Sequence, residues 1–381
     1  MCTFAPMYGD QGLQDTLFIM LYGWAALLAV LACFYFLFSR GNLFSETNTP
    51  PKELRLWAAA FMASVAASHV WWYVLGIYFL VDDRMVRNIV GITLDHITLV
   101  PLVMSMLLRM LQDRQRRLWP WFLTQVPIIV AAAVGIVRHD EFYGFEMTTY
   151  WQLAVMIVFV VYYIYSLVKY GRWLHENYAD LEHKEVWQSL LFVVALFAVY
   201  EVYFTNPGEM AKEYLAQVNT IVIIAFLLWR VETLQTLEPI TPESVAEENE
   251  EAPKGMNIGA LLEQYCVAKQ LYLQHDLTLQ QLANAIGTNR TYLSSYFAQQ
   301  SITYNAYINR LRIDHFIRLY HENIASLQPI ASSRSITAIK LAQQSGFYSY
   351  STFSAAFKKF MSVTVSEWMK SEEPSSTTGG R

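Results

Sequence analysis

The residues of this sequence best placed to do chemistry are ionisable side chains inside long apolar runs. His69, Asp95, His96 and Glu201 each stand within such a run, and Gln217 and Asn219 open another. A charge in hydrocarbon is costly, so these residues face a bundle interior or a water-filled cavity and commonly mark ligand or ion paths. His69, Asp95, His96, Glu201 and Asn219 are therefore a candidate site for an unknown small ligand, or for coupling between helices. The plainer reading is a set of interhelical hydrogen bonds, such as His69 to Asp95, that hold a bundle together. Gln217 and Asn219, two positions apart, do not share a helix face. Two histidines with no further partners make a poor metal or haem site, and Cys2, Cys33 and Cys266 have no ligand or disulfide spacing. No nucleophile–base constellation or glycine-rich phosphate loop is present. The expectation is a protein that is not an enzyme, with no catalytic residue, metal or cofactor.

The elements that must position these side chains are transmembrane helices. Of 381 residues, 54% are hydrophobic and 15% charged, and the excess lies before Arg230. A hydrocarbon core of roughly 30 Å needs about 20 apolar residues in helical form. Seven stretches qualify: Thr16 to Phe38, Leu56 to Leu80, Asn88 to Leu108, Leu118 to Val137, Tyr150 to Val168, Val186 to Phe204 and Tyr214 to Trp229. Aromatics crowd their ends at Trp57, Trp119, Trp121, Tyr150, Trp151 and Trp187, as suits the headgroup level; Trp71 and Trp72 fit this less well. The first run is too long for a signal-peptide core and lacks a basic leader, so it is expected to be retained. Pro101, Pro127, Gly91 and Gly135 suggest no role beyond the usual tolerance of such helices for these residues.

Basic residues fix the orientation. Arg40, Lys52, Arg55, Arg109, Arg114, Arg116, Arg117, Lys169, Arg172 and Lys184 lie in the first, third and fifth connections; the other side carries only Arg84, Arg87, Arg138 and Lys212. The positive-inside rule puts the first set in the cytoplasm, the N-terminus outside and everything after a seventh span inside. Asp95, His96 and Glu201 then fall in the outer half of their spans. The implied localisation is a multi-pass cytoplasmic membrane, with lipid as an obligate partner.

After the membrane part, residues 1–232, comes a stretch from Glu232 to Glu251 with seven glutamates and no lysine or arginine, which reads as a solvated linker over 233–255. Residues 256–370 change character, and a polar tail follows at 371–381. From Gly255 to Lys370 there are ten basic and five acidic residues, a balance of +5 that suits a polyanion. Helical periodicity begins with Ile258 to Gln274 and its face of Leu261, Leu262, Tyr265 and Ala268. A helix then runs from Leu279, with Thr278 as N-cap and Gly287 for a left-handed turn. The following helix, capped by Thr288 or Asn289, buries Leu293 and Phe297 and turns Arg290, Thr291, Ser294 and Ser295 outward. The same grammar recurs at Ile336 to Gly346, then Phe347-Tyr-Ser349, then a helix burying Phe353 and Phe357.

This doubled pattern, with Ser345-Gly-Phe-Tyr-Ser-Tyr-Ser-Thr-Phe-Ser-Ala-Ala-Phe-Lys-Lys359, Val363-Thr364, Glu367-Trp368 and Tyr307-Ile-Asn-Arg-Leu-Arg-Ile313, resembles the DNA-binding domain of AraC-type transcription regulators over about Asn257 to Met369. The resemblance implies an all-α chain: a seven-helix membrane bundle, expected to act as a sensor, joined to two helix-turn-helix units that read double-stranded DNA. It puts base readout on Thr291, Ser294, Ser295, Tyr350, Ser351, Thr352 and Ser354, and phosphate contacts on Arg290, Lys358 and Lys359. The chain departs from the family pattern with Ser301 and Ser362 in place of glycine, Val365 in place of proline, Ala355 in place of a frequent basic residue, and extra length around Ser326 to Ser335. Two reading helices on one monomer would enter successive major grooves ~34 Å apart, so a homodimer is possible but not required. The rival expectation is a transporter- or receptor-like membrane protein with a cytoplasmic partner-binding appendage.

Overall fold

The computed structural model describes residues 13–44, 49–77, 83–191, 210–237, 257–326 and 334–372. These residues are helical throughout apart from their connections; among them there is no strand, and one isolated antiparallel bridge joins Tyr178 to Thr278. The chain divides into two compact units, Met1–Tyr170 with Val186–Pro239, and Gly171–Glu185 with Ile240–Arg381.

In the first unit, α1 (Leu13–Phe38), α2 (Lys52–Ile77), α3 (Arg84–Met110), the pair α4 (Trp119–Leu123) and α5 (Val126–Arg138), α6 (Met147–Asn177) and α7 (Met210–Thr233) follow one another. Among the described residues six helical stretches are long and apolar enough to cross a membrane: Thr16–Phe38, Lys52–Leu75, Met85–Met110, Trp119–Arg138, Phe142–Asn177 and Tyr214–Thr233. The expected span Val186 to Phe204 lies outside the described residues beyond Leu191, as does Glu201.

The expected fourth span is broken. Pro127 has no N–H to offer the preceding turn, the helix stops at Leu123 and restarts at Val126, and the Thr124 carbonyl accepts a hydrogen bond from Trp151 Nε1 at 2.8 Å. Gly135 also has a role that composition does not suggest. A Cβ there would lie 2.6 Å from the Gly144 backbone nitrogen, so the missing side chain lets α5 and the π turn Phe142–Glu146 touch backbone to backbone.

Helices α1 and α7 run parallel. Phe18 packs on Tyr214 at one end, with ring centroids 5.6 Å apart, and Tyr35 donates to Glu232 at the other. Helix α2 is antiparallel to both, since Arg55 meets Glu232 while His69 meets Tyr22.

Glu232 itself corrects one expectation. It is no part of a solvated run: fully buried, it accepts from Arg55 Nε at 2.9 Å and Tyr35 at 3.1 Å, and Asn42 donates to its carbonyl. A buried carboxylate persists when a counter-charge and donors surround it. Leu234 and Leu237 are also buried, and Gln112 bonds to the backbone of Gln235 and Leu237, so the tether begins later than residue 233.

The second unit starts with α8 (Ile258–Leu261), capped by Asn257, which widens into a π turn over Leu262–Val267. It is not the single regular helix to Gln274 that its periodicity suggests. Gln270 takes a left-handed backbone, and the short turn Leu271–Leu273 buries Tyr272. Then come α9 (Leu279–Ile286), α10 (Arg290–Gln299), α11 (Tyr304–Ser326), α12 (Arg334–Gln344), α13 (Tyr350–Met361) and α14 (Val365–Ser371). Thr278 starts α9 with a reciprocal cap to Gln281, and Thr364 starts α14 the same way with Glu367. The carboxyl of Glu367 is held below its usual range mainly by the Thr364 backbone N–H it accepts.

Two aromatic and aliphatic cores result. One gathers Leu262, Cys266, Leu282, Ile286, Leu293 and Phe297; the other gathers Phe316, Phe347, Phe353, Phe357 and Trp368. Helix α11 contributes to both, with Ile308 in the first and Ile313 and Phe316 in the second.

Candidate nucleic-acid interface and intramembrane polar cluster

Within the first unit the polar residues separate into two hydrogen-bonded groups. One ring nitrogen of His69 faces the Val65 carbonyl at 2.8 Å and the other faces the Gln217 side-chain amide at 3.0 Å; Tyr22 stacks 4.7 Å away and donates to the His69 carbonyl. These contacts join α1, α2 and α7. Asp95 accepts from Ser68 at 2.6 Å and from Trp72 Nε1 at 2.7 Å, joining α2 and α3. The bond between His69 and Asp95 offered as an example is thus not the one made: each has its own partners.

Trp72 is explained at the same time. Its ring lies on Gly91, where a Cβ would come within 2.7 Å, one turn before Asp95. Its indole is directed to an interior carboxylate rather than to the headgroups. His96 is buried, and Asn219 is half-buried on a different face of α7 from Gln217. Tyr22 and Ser68 were not singled out by sequence, because a tyrosine or serine in an apolar run carries no mark distinguishing it from packing or belt residues, and Trp72 was marked only as a poor fit to the belt.

In the second unit α9 and α10 are joined by a tight turn in which Gly287 adopts φ 73° and Asn289 caps α10 by accepting from Tyr292 N at 2.9 Å. Helices α12 and α13 repeat the arrangement, with Gly346 at φ 89° and Ser349 accepting from Thr352 N. The two later helices match position by position at a separation of sixty residues. Leu293 and Phe297 are buried as Phe353 and Phe357 are; Thr291 and Ser351 are exposed; Ser294 and Ser354 are half-buried; Ser295 and Ala355 are exposed. Tyr350, like Arg290 at the same helix position, is half-buried, and Lys358 and Lys359 are exposed in the last turn of α13. Cations there also oppose the negative end of the helix dipole.

Ser301 and Ser362, where the resembled pattern has glycine, both take left-handed backbone, at φ 55° and 60°. The turns therefore keep the glycine conformation without the glycine.

Sequence reasoning missed the polar stripe of α11. Asn305, Asn309 and Arg312 recur at i, i+4 and i+7, and all three are buried. Arg312 donates from Nε to the Tyr272 carbonyl and from Nη2 to the Gln274 carbonyl, both at 2.8 Å, with its guanidinium 5.7 Å from the Phe347 ring. Burial draws its pKa down, while Asp180 opposes the shift. It ties the segment before α9 to the aromatic core below α13. The i, i+4, i+7 spacing was the available signal.

Asn305 uses its Nδ2 to hold the carbonyls of Tyr178 and Ala179, at 3.3 and 2.8 Å. These lie just after α6, in residues 171–185, which comprise the end of that helix and the connection beyond it and pack as part of this unit. Ala179 lies in the first core, its N–H donates to the Leu277 carbonyl, and Lys184 pairs with Asp276 at 2.9 Å. Burial raises the Asp180 carboxyl, with the Glu182 N–H and the Lys184 charge opposing the shift. Among the described residues no group of His, Cys, Asp and Glu could hold a metal ion. The chain matches no family model, no curated protein and no solved structure.

Proposed function

We propose that the chain is a membrane-bound transcription regulator that reads double-stranded DNA through α10 and α13, in the manner of the AraC-type regulators it resembles. The observation that carries this reading is the repeat. Two capped helices, each set by a left-handed glycine turn onto a preceding helix, bury the same positions and turn the same small polar positions outward. A helix enters a major groove with such residues at its N-terminal end, and a monomer with two of them reads an asymmetric site. On this reading Thr291, Ser294, Ser295, Tyr350, Ser351, Thr352 and Ser354 meet base edges, and Arg290, Lys358 and Lys359 meet phosphates and supply salt-dependent affinity.

The membrane topology belongs to the same proposal. Parallel α1 and α7 require an odd number of crossings between them. Helix α2, helix α3, the α4–α5 pair and α6 account for four, and residues 186–204 are proposed as the fifth, making seven with the N-terminus outside and the second unit in the cytoplasm. The His69–Gln217 and Asp95–Trp72 groups tie α1, α2, α3 and α7 together. They are where a ligand from outside would shift helix packing, and replacing His69 by Ala or Asp95 by Asn is expected to change the response to signal.

To test DNA binding, the full chain in lipid nanodiscs is mixed with a randomised duplex pool and bound sequences are recovered over several rounds at three salt concentrations. Enrichment of a two-part motif is expected. Uniform, salt-sensitive retention with no selected sequence would refute the regulator reading.

A further inference from the structure

Residues 171–185, the last turns of α6 and the connection after them, fold onto the face on which proposed DNA-contacting residues lie. Asn177 Oδ1 accepts from Arg290 Nε at 2.8 Å. Glu182 Oε2 accepts from Thr352 Oγ1 at 2.9 Å. Glu176 lines one cleft together with Ser294 and Thr303, and the His183 ring stands edge-on to Tyr348, 6.1 Å between centroids. The contacted residues come from both repeats: Arg290 from α10, Thr352 from α13, and Tyr348 from the turn before it.

The chemistry of the segment is that of a polyanion in miniature. It carries Glu176, Asp180, Glu182 and Glu185 against Arg172 and Lys184. Lys184 is already engaged by Asp276. Where a phosphate would accept from Arg290, an amide oxygen accepts; where a base edge would meet Thr352, a carboxylate does.

We infer that residues 171–185 form an autoinhibitory strap that occupies the reading face of α10 and α13 and must leave it before DNA can bind. This rests on the regulator reading above. The strap has two parts with different tasks. Ala179, packed in the core and clamped through its carbonyl by Asn305, is its anchor. Asn177 and Glu182, on either side of the anchor, engage Arg290 and Thr352 and can exchange those contacts for nucleic acid. Residues 171–177 of the strap are the last turns of α6.

The test uses the full chain in lipid nanodiscs and a duplex taken from the randomised-pool selection, titrated against wild type, Asn177→Ala, Glu182→Ala and the double variant. These changes leave the Ala179 anchor in place. Each masking hydrogen bond lost is a factor of about 3 to 10, so the double variant is expected to bind on the order of tenfold tighter or more. Hydrogen exchange supplies a readout independent of any variant: amides of 181–185, beyond the anchor, in wild type are expected to exchange faster when duplex saturates the protein. Selected duplex bound with equal affinity by wild type and double variant, or strap amides equally protected with and without duplex, would overturn the strap while leaving the regulator reading intact. Failure of wild type and both variants alike to select any sequence overturns the regulator reading itself, and the strap with it.

Discussion

Replacing Gly346 by alanine, with Gly287→Ala as its control, separates two contributions that usually arrive together. Both glycines hold left-handed backbone, φ 89° and 73°. A left-handed L-residue costs about 1–2 kcal/mol, and alanine returns roughly 0.4–1 kcal/mol by restricting the unfolded chain. At Gly287 nothing lies within 4 Å of the new Cβ, so that difference is the whole effect, about 1 kcal/mol. At Gly346 the Cβ would sit 2.8 Å from Leu273 Cα, 2.9 Å from Leu273 O and 3.1 Å from Arg312 Nε. Two of these are backbone atoms. Leu273 cannot retreat freely, because the neighbouring Tyr272 and Gln274 carbonyls hold Arg312 and the Gly346 carbonyl faces His275 Nδ1. Overpacking of this kind adds about 1–3 kcal/mol, for a total of about 2–4 kcal/mol, a large share of the roughly 5–15 kcal/mol that holds a domain folded. Hydrogen exchange of peptides from 279–299 and 350–361 across a urea series reads the opening free energy of each half. Equal losses in the two variants would refute the argument that the Leu273 contact, rather than the backbone angle, dominates at Gly346.

Ser362→Gly relieves left-handed strain at a position where the seryl N–H already donates to the Lys358 carbonyl; a gain of up to about 1 kcal/mol is expected in the same exchange assay, and a loss would show that the serine is favoured there. Arg312→Lys keeps a charge but loses the fork, stranding one of the Tyr272 and Gln274 carbonyls. It is expected to cost about 1–3 kcal/mol and to raise exchange in both halves of the unit together, whereas an effect confined to one half would argue against its bridging role. Cys266 is fully buried, and burial pushes its thiol up to about 12 from 9.0. Its folded pKa is raised, so its contribution is complete below pH 9 and is lost as pH climbs from 9 towards 12. Burial raises Tyr304 and Tyr307 in the same direction. Maleimide labelling of Cys266 at pH 8 is therefore expected only through unfolding, and the urea midpoint of the second unit is expected to be lower at pH 10 than at pH 8; a higher midpoint at pH 10 would contradict this.

What the sequence made legible is what repeats or persists over many residues. Apolar length marks the spans because every backbone group must be satisfied in lipid. The cap and turn residues Thr278, Gly287, Asn289 and Gly346 mark α9 to α13 because each meets a local backbone requirement. Breaks in regularity were harder to see. The stop between Leu123 and Val126 depends on a distant Trp151 taking up the Thr124 carbonyl, and the left-handed Gln270 that ends the first helical run of the second unit has no glycine to announce it. The candidate sites divide along the same line. His69 and Asp95 were conspicuous as charges in apolar helices, and Gln217 and Trp72 stood out in their runs too, but the pairing of His69 with Gln217 and of Asp95 with Ser68 and Trp72 joins different helices and has no local signal.

The most informative miss is organisational. Composition assigns residues 171–185 to the membrane part, because a short polar stretch between apolar runs, with Arg172 and Lys184 counted towards the cytoplasmic side, is what a loop looks like. Their folding partners are decided instead by single atoms: the Ala179 N–H and carbonyl, met by the Leu277 carbonyl and the Asn305 amide, and Lys184, met by Asp276. The second unit is therefore discontinuous in sequence, and a fragment starting at Gly255 would lack the core residue Ala179 and leave the Asn305 side chain without the carbonyls it holds. Helix α6 has 31 residues, about 46 Å at the usual rise, against a hydrocarbon core of roughly 30 Å. It runs unbroken into Asn177. Under the proposed reading, the apolar run of α6 and the bond that Arg290 makes to Asn177 therefore concern one and the same helix.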